Sequence, residues 1–234
     1  METAANVPAG KSLTTIAFER LRSDIVSGNL RPGERLRIQA LSDSYGIGAT
    51  AIREALSRLV TDGFVESEDQ RGFCVAPVSR DELIDLTETR IAVEVLALEQ
   101  AMERGGIDWE SNLLSAFHRL SRTPLPLTSE LHVPWAAVHQ QFHDALVAGC
   151  GSPWKLRLCK LLYDKSERYR NLAELYTAQR KRDPGAEHQQ LMDAAMIRDR
   201  ELVKELITQD YWTTTNIVLK AAFDGRAALS SGKR

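Results

Sequence analysis

Cysteine is scarce in this chain, and net charge is almost absent. Three cysteines, Cys74, Cys150 and Cys159, stand among 234 residues, and no two of them form a CxxC pair. An odd number without paired spacing argues against a disulfide framework and leaves packing as their expected role. A formal net charge of −2 gives no global signal for nucleic acid. Aromatic residues make up 6%, beside 43% apolar and 26% charged residues, the composition of an ordinary globular protein. No apolar run approaches the roughly 18 residues that cross a bilayer. The first stretch, METAANVPAGKS, has no apolar core of a secretory signal. A cytoplasmic protein without membrane contact is expected.

The length is too great for one small core and suits two compact domains. Residues 1–11 show no periodicity and read as a flexible tail. From Ser12 the pattern is helical, with Ile16, Ala17, Leu21, Ile25 and Val26 on one face. It stops at GNLRPGERL, where Gly28, Pro32 and Gly33 mark turns. Two short helices follow, IQALSDSYG and ATAIREALSRLVTDG, joined by the tight turn YGIGAT. Gly63 ends the second. FVESEDQRGFCVAPV then reads as two short strands around a polar turn. Helix, helix, turn, helix, hairpin is a winged helix-turn-helix, placed at 12–78.

Ser79 with Glu82 resembles a capping box opening the next helix. From Asp81 to about Asp224 only helical patterns remain, broken at Gly105-Gly106, RTPLPLTSE, CGSP and RDPG. The fold class is therefore mainly α. An all-helical bundle of six or seven helices is predicted over 79–224, with a frayed tail at 225–234.

Residues 11–80 hold ten Lys/Arg against nine Asp/Glu, so a DNA-binding surface there must come from local clustering. The second helix of the turn motif starts near Ala49, and such a helix lays its first turn against base edges in the major groove. Thr50 and Arg53 fall on that turn and the next. Arg20, Arg22, Arg35, Arg37, Arg58 and Arg71 are further local cations, suited to phosphates. At the hairpin tip, Gln70-Arg71-Gly72 would let the backbone approach a minor groove closely.

The segment LRPGERL…ALSDSYGIGATAIREALSRLVTDGFVESEDQRGFCV resembles the DNA-binding domain of the GntR family of bacterial repressors, over about residues 14–78. The signature is REAL-x-RL-x-x-x-G-F-V followed by RGF-x-V. The resemblance implies a homodimer on a palindromic operator in double-stranded DNA, with Arg37 and Arg53 among the contacts. One departure matters. The family usually places Ser-Arg or Thr-Arg before the threonine, and Gly48-Ala49 stands there instead. A different operator sequence is expected.

The bundle carries polar residues where apolar ones belong. His139 and His143, one turn apart, share a stripe with Leu146, Val147 and Cys150. Arg90 interrupts Leu83, Leu86, Val93 and Ala97; Asp210 interrupts Val203, Leu206, Thr213 and Ile217; His188 begins a stripe with Leu191, Met192 and Ala195. A buried charge without a partner costs several kcal/mol. These side chains are expected to meet one another or a bound ion. Three neutral imidazoles and a carboxylate suit Zn, Ni, Fe or Mn. Each histidine alone also fits a satisfied core residue.

DLTETR, HQQFHDALVAGCGSPW, EHQQLMDAA and the last helix resemble the helical effector domain of the FadR-type branch, the FCD domain. In its metal-binding members the ligands are an Asp four residues before the His of "FH", that His, the His of "EH" and a last-helix His. Here those places hold His139, His143, His188 and, 22 residues beyond it, Asp210. The family's Asp and last His stand exchanged. The resemblance thus implies a divalent metal, Zn first and Ni, Mn or Fe as alternatives. It also gives Arg90 the grip on an acidic effector, by a bidentate guanidinium contact. An internal ion pair of Arg90 with Glu94 or Glu88 is the other reading. Arg168 and Arg170 diverge on a helix, so one at most faces the pocket; Arg168 is the expected second contact. VAGCGS and ERYR resemble carbon-starvation regulators that answer to dicarboxylates such as glutarate.

A regulator controlled by a small carboxylate is the leading expectation. A metal-responsive regulator and a metal-dependent hydrolase fused to a DNA-binding domain are the alternatives. Against the hydrolase, HExxH, a nucleophile elbow and a phosphate loop are all missing.

Overall fold

Ser12 opens the first helix by accepting a hydrogen bond from the Thr15 amide at 3.1 Å, which satisfies a donor that the helix itself cannot. The structure is a computed structural model that describes residues 11–68, 72–124, 129–174 and 184–224. Helix α1 (Leu13–Val26) buries Ala17, Leu21 and Ile25 against α3. Helices α2 (Ile38–Tyr45) and α3 (Ala49–Thr61) meet through a turn that Gly46 makes at φ 65°, a left-handed conformation natural to glycine. Ile52, Ala55, Leu56 and Leu59 fix the inner face of α3. That leaves Thr50 and Arg53 outward.

The wing has three strands, β1 (Arg35–Leu36), β2 (Val65–Glu68) and β3 (Gly72–Val75), antiparallel in the order β1-β3-β2. Arg35 lies opposite Cys74, and Val65 opposite Val75. The two-residue strand β1 went unforeseen because it is too short to show alternation.

The chain divides into two compact units between Ser79 and Arg80. The second holds α4 (Arg80–Arg104), α5 (Ile107–Arg122), α6 (Ser129–Val147), α7 (Pro153–Glu174), α8 (Pro184–Met196) and α9 (Arg200–Val218). A short 3-10 turn follows α6 and a π-helical turn follows α9. Helix α4 packs against α6, α7 and α9. Leu98, Met102, Leu113, Phe142, Leu146 and Ile207 fill the core. All three cysteines are free and buried.

Gly105 closes α4 against Trp109. A Cβ there would lie 2.5 Å from both the Ala101 carbonyl oxygen and the indole ring. Trp109 is held by donating to the Ala145 carbonyl at 3.0 Å, so it has little freedom to retreat. Gly105→Ala is expected to cost about 1–3 kcal/mol through overpacking. Urea unfolding measures it, and an unchanged midpoint would show that Trp109 yields freely.

Candidate functional site

Helix α6 turns its histidines inward because Trp135, Phe142 and Leu146 are buried on the same side. His139 and His143 come from α6 and His188 from α8; each is 3% exposed. One ring nitrogen from each lies within 4.8 Å of the others, and His139 Nε2 stands 3.2 Å from His143 Nε2. Trp135 stacks on His139 at 4.5 Å between ring centroids, and Phe142 meets the His188 ring edge-on at 5.3 Å. Burial holds His139 well below its usual 6.5, and Arg170, His143, His188 and Arg90 add to the effect. The neutral ring keeps a lone pair, which is the metal-ligating form. Three converging imidazoles in an apolar collar fit a divalent ion of the zinc type.

Arg90, on α4, is buried next to this triad. Its Nε donates to Glu94 Oε1 at 2.6 Å, and its Nη2 donates to the Tyr211 hydroxyl at 2.9 Å. Tyr211 donates in turn to the other Glu94 oxygen and lies 3.4 Å from His143 Nδ1. Burial raises Tyr211 well above 10, so the hydroxyl keeps its proton. A continuous polar chain therefore links guanidinium, carboxylate, phenol and imidazole.

A cavity of about 20 Å³ opens beside Arg90, lined also by Thr87, Ser166, Arg170, Asp210, Tyr211 and Thr215. Arg170 donates to the Tyr163 hydroxyl at 3.1 Å and lies 3.4 Å from His139 Nδ1. Arg168, the arginine expected here, is 2% exposed but does not line this cavity. Tyr163, Ser166 and Arg170 recur at helical spacing on one face of α7, and Arg168 points about 200° away from Arg170.

Asp210 also departs from its expected place. The buried face of α9 is Val203, Ile207, Tyr211, Thr215 and Val218. Asp210 sits one residue, about 100°, off that face and is half-buried. Among the described residues the metal-competent cluster is His139, His143 and His188, without Asp210. Asp210 instead borders the Arg90 cavity and a second one of about 60 Å³, which is lined by His188, Glu187 and Gln209.

Sequence reasoning missed Tyr211 and Tyr163, and of the pair Arg168 and Arg170 it favoured Arg168. An aromatic on an apolar stripe reads as core, and its hydroxyl leaves no periodic signal.

In the first unit, Thr50 and Arg53 are exposed on the opening turns of α3, and Arg37 is exposed at the start of α2. Gly72 opens β3 at φ 88°, with open space where a Cβ would go. Arg58 lies over the Phe18 ring at 4.3 Å, Arg20 over Tyr45 at 4.5 Å and Arg22 over Phe64 at 5.6 Å. These three brace the domain as well as charging its surface. Arg71 lies outside the described residues.

Residues 13–75 match the profile of bacterial regulatory proteins of the gntR family, and residues 85–211 match the FCD domain. The chain belongs to the GntR family, with an FCD domain. It is a DNA-binding transcriptional regulator. It is 38% identical over 215 residues to BphR, an HTH-type transcriptional regulator of Paraburkholderia xenovorans, covering 89% of this chain and 86% of that one. It is 36% identical over 208 residues to the HTH-type transcriptional repressor GlaR of Escherichia coli, covering 87% of this chain and 94% of GlaR. These relatives are regulators, not enzymes. Among solved structures, E. coli McbR/YncC is similar at a TM-score of 0.74 and 21% identity, over 90% of this chain and 98% of that one. A GntR regulator from Rhodococcus gives 0.70 and 21%, over 90% and 99%. At such identity the likeness shows the fold alone. The GntR-family unit is the winged helix-turn-helix, and the buried histidine triad belongs to the FCD unit.

Proposed function

We propose that this regulator is a homodimeric, cytoplasmic repressor of a palindromic operator, released by a small carboxylate held beside a divalent metal in the FCD domain. One observation carries the reading. Three buried imidazoles converge within one side chain of a buried guanidinium, Tyr211 joining His143 to Arg90. Neither group is needed by an apolar core. His139, His143 and His188 would hold the ion, zinc first and nickel, manganese or iron as alternatives, with Asp210 proposed as the fourth ligand from its place on the His188 cavity. The ion supplies a positive charge for a carboxylate oxygen. Arg90 and Arg170, both on the cavity wall, offer guanidinium forks for the rest of a dicarboxylate such as glutarate. That Escherichia coli GlaR is named a repressor supports the direction of control.

On the DNA side, Thr50 and Arg53 are assigned to base edges, Arg37, Arg58 and Arg71 to phosphates, and Gly72 to close approach of the wing. Arg53→Ala is expected to weaken operator binding by about 1–3 kcal/mol. Arg71→Ala should weaken it less and more evenly across sequences. Fluorescence anisotropy with operator and scrambled duplexes checks both. Unchanged operator affinity in Arg53→Ala would remove α3 as the reading helix.

A thermal-shift screen of malonate, succinate, glutarate and adipate on metal-loaded protein tests the effector reading, because ligands of the native state raise its stability. A shift that vanishes on chelation is expected. No shift with any acid contradicts it.

A further inference from the structure

Arg90 is the guanidinium that the proposed acid would grip, yet its fork already holds a carboxylate. Glu94, one turn further along α4, accepts a hydrogen bond from Nε at 2.6 Å, and the two side chains are only 5% and 4% exposed. Tyr211 accepts from Nη2 at 2.9 Å and donates to the second Glu94 oxygen. Carboxylate, guanidinium and phenol satisfy one another in a closed set.

We propose that Glu94 is an internal competitor of the effector: its carboxylate occupies the acid's place on Arg90, and the acid binds by displacing it. The inference rests on the carboxylate reading above and adds how that site is regulated. The adjoining cavity supports it. At about 20 Å³ it has room for about one water molecule, far less than a four- or five-carbon diacid needs. Side chains must therefore move when the acid enters. Glu94 does not line the cavity itself, and its departure frees the Nε of Arg90, a guanidinium on the cavity wall, for an incoming carboxylate.

The exchange has a consequence for selectivity. Trading one carboxylate for another on the same guanidinium gains little by itself. A ligand succeeds only if it gains a second anchor that Glu94 lacks, at the histidine-held ion, since Arg170 is itself paired with Glu167. Simple monocarboxylates should therefore bind poorly. Glu94 cannot remain buried and unpaired once displaced. Its helix packs against α6, α7 and α9, so the exchange is felt across the bundle.

Isothermal titration of malonate, succinate, glutarate and adipate into metal-loaded wild type and Glu94→Gln tests the proposal. If Arg90 is free of Glu94 in a few per cent of molecules, removing the competitor tightens acid binding by about 10- to 100-fold. Metal content should not change. Glu94→Asp, which keeps the charge but shortens its reach, should tighten binding by a smaller factor, and it carries the test if Glu94→Gln does not fold. Equal or weaker acid binding in the folded variants overturns the proposal and makes Glu94 a positioning group for Arg90. If no diacid binds to wild type or variant, the carboxylate reading itself fails, and this inference fails with it. Wild-type binding that does not tighten in the variants sinks the competitor alone.

Discussion

His143→Ala is expected to lower affinity for a divalent ion by more than about a hundredfold. Losing a group that only orients a metal ligand already costs about 10- to 100-fold, so losing a ligand outright must cost at least as much. His143 is central to the arrangement. Its Nε2 faces His139 at 3.2 Å, and its Nδ1 side meets Tyr211 at 3.4 Å. The variant should also respond weakly to acid, because one of the effector's anchors is gone. Metal analysis of wild type and variant purified alike measures the first effect. Equal metal content would remove the triad as a metal site. Metal loss with a full acid response would reduce the ion to a structural role.

Arg90→Ala should act differently. It removes one member of a buried ion pair and leaves Glu94 in the core without its counter-charge. Breaking such a pair costs about 3–5 kcal/mol. Metal binding should survive, since the three imidazoles do not include Arg90. The acid response should be lost. The double variant Arg90→Met with Glu94→Gln removes both charges, so stability should largely return while the acid response stays absent. Urea unfolding of the wild type, Arg90→Met, Glu94→Gln and the double variant isolates the coupling between the pair. A loss below about 1 kcal/mol in Arg90→Ala would mean that water reaches Glu94 and that the pair is not truly buried.

Much of this was legible in the sequence, and the misses have physical reasons. The winged helix-turn-helix was readable because Gly46, Gly48 and Gly63 punctuate short helices whose apolar faces are unambiguous. His139, His143 and His188 were visible as polar residues on apolar stripes, and all three are buried. Arg90 was visible for the same reason, and Glu94 was one of the two partners weighed for it. Asp210 lies one position off the face that α9 buries, a phase that the sequence pattern left open. Leu206, Asp210, Thr213 and Ile217 make as good a helical stripe as Ile207, Tyr211, Thr215 and Val218, and only packing decides between them. The arginine at the cavity turned out to be Arg170 rather than Arg168, because a helix of mixed polarity does not announce its phase. Strand β1 exists through its partner β3, and two residues cannot show that alone.

The central claim is that an acid at the histidine-held ion governs the grip on DNA. The most direct measurement is operator affinity of the protein, by fluorescence anisotropy, with the four diacids added to metal-loaded and to chelator-treated protein. The expected result is that at least one diacid weakens operator binding by about tenfold or more in the metal-loaded protein and has no effect after chelation, a shift typical of coupled sites. An operator affinity that no diacid changes, or that an acid changes equally with and without metal, would contradict the account.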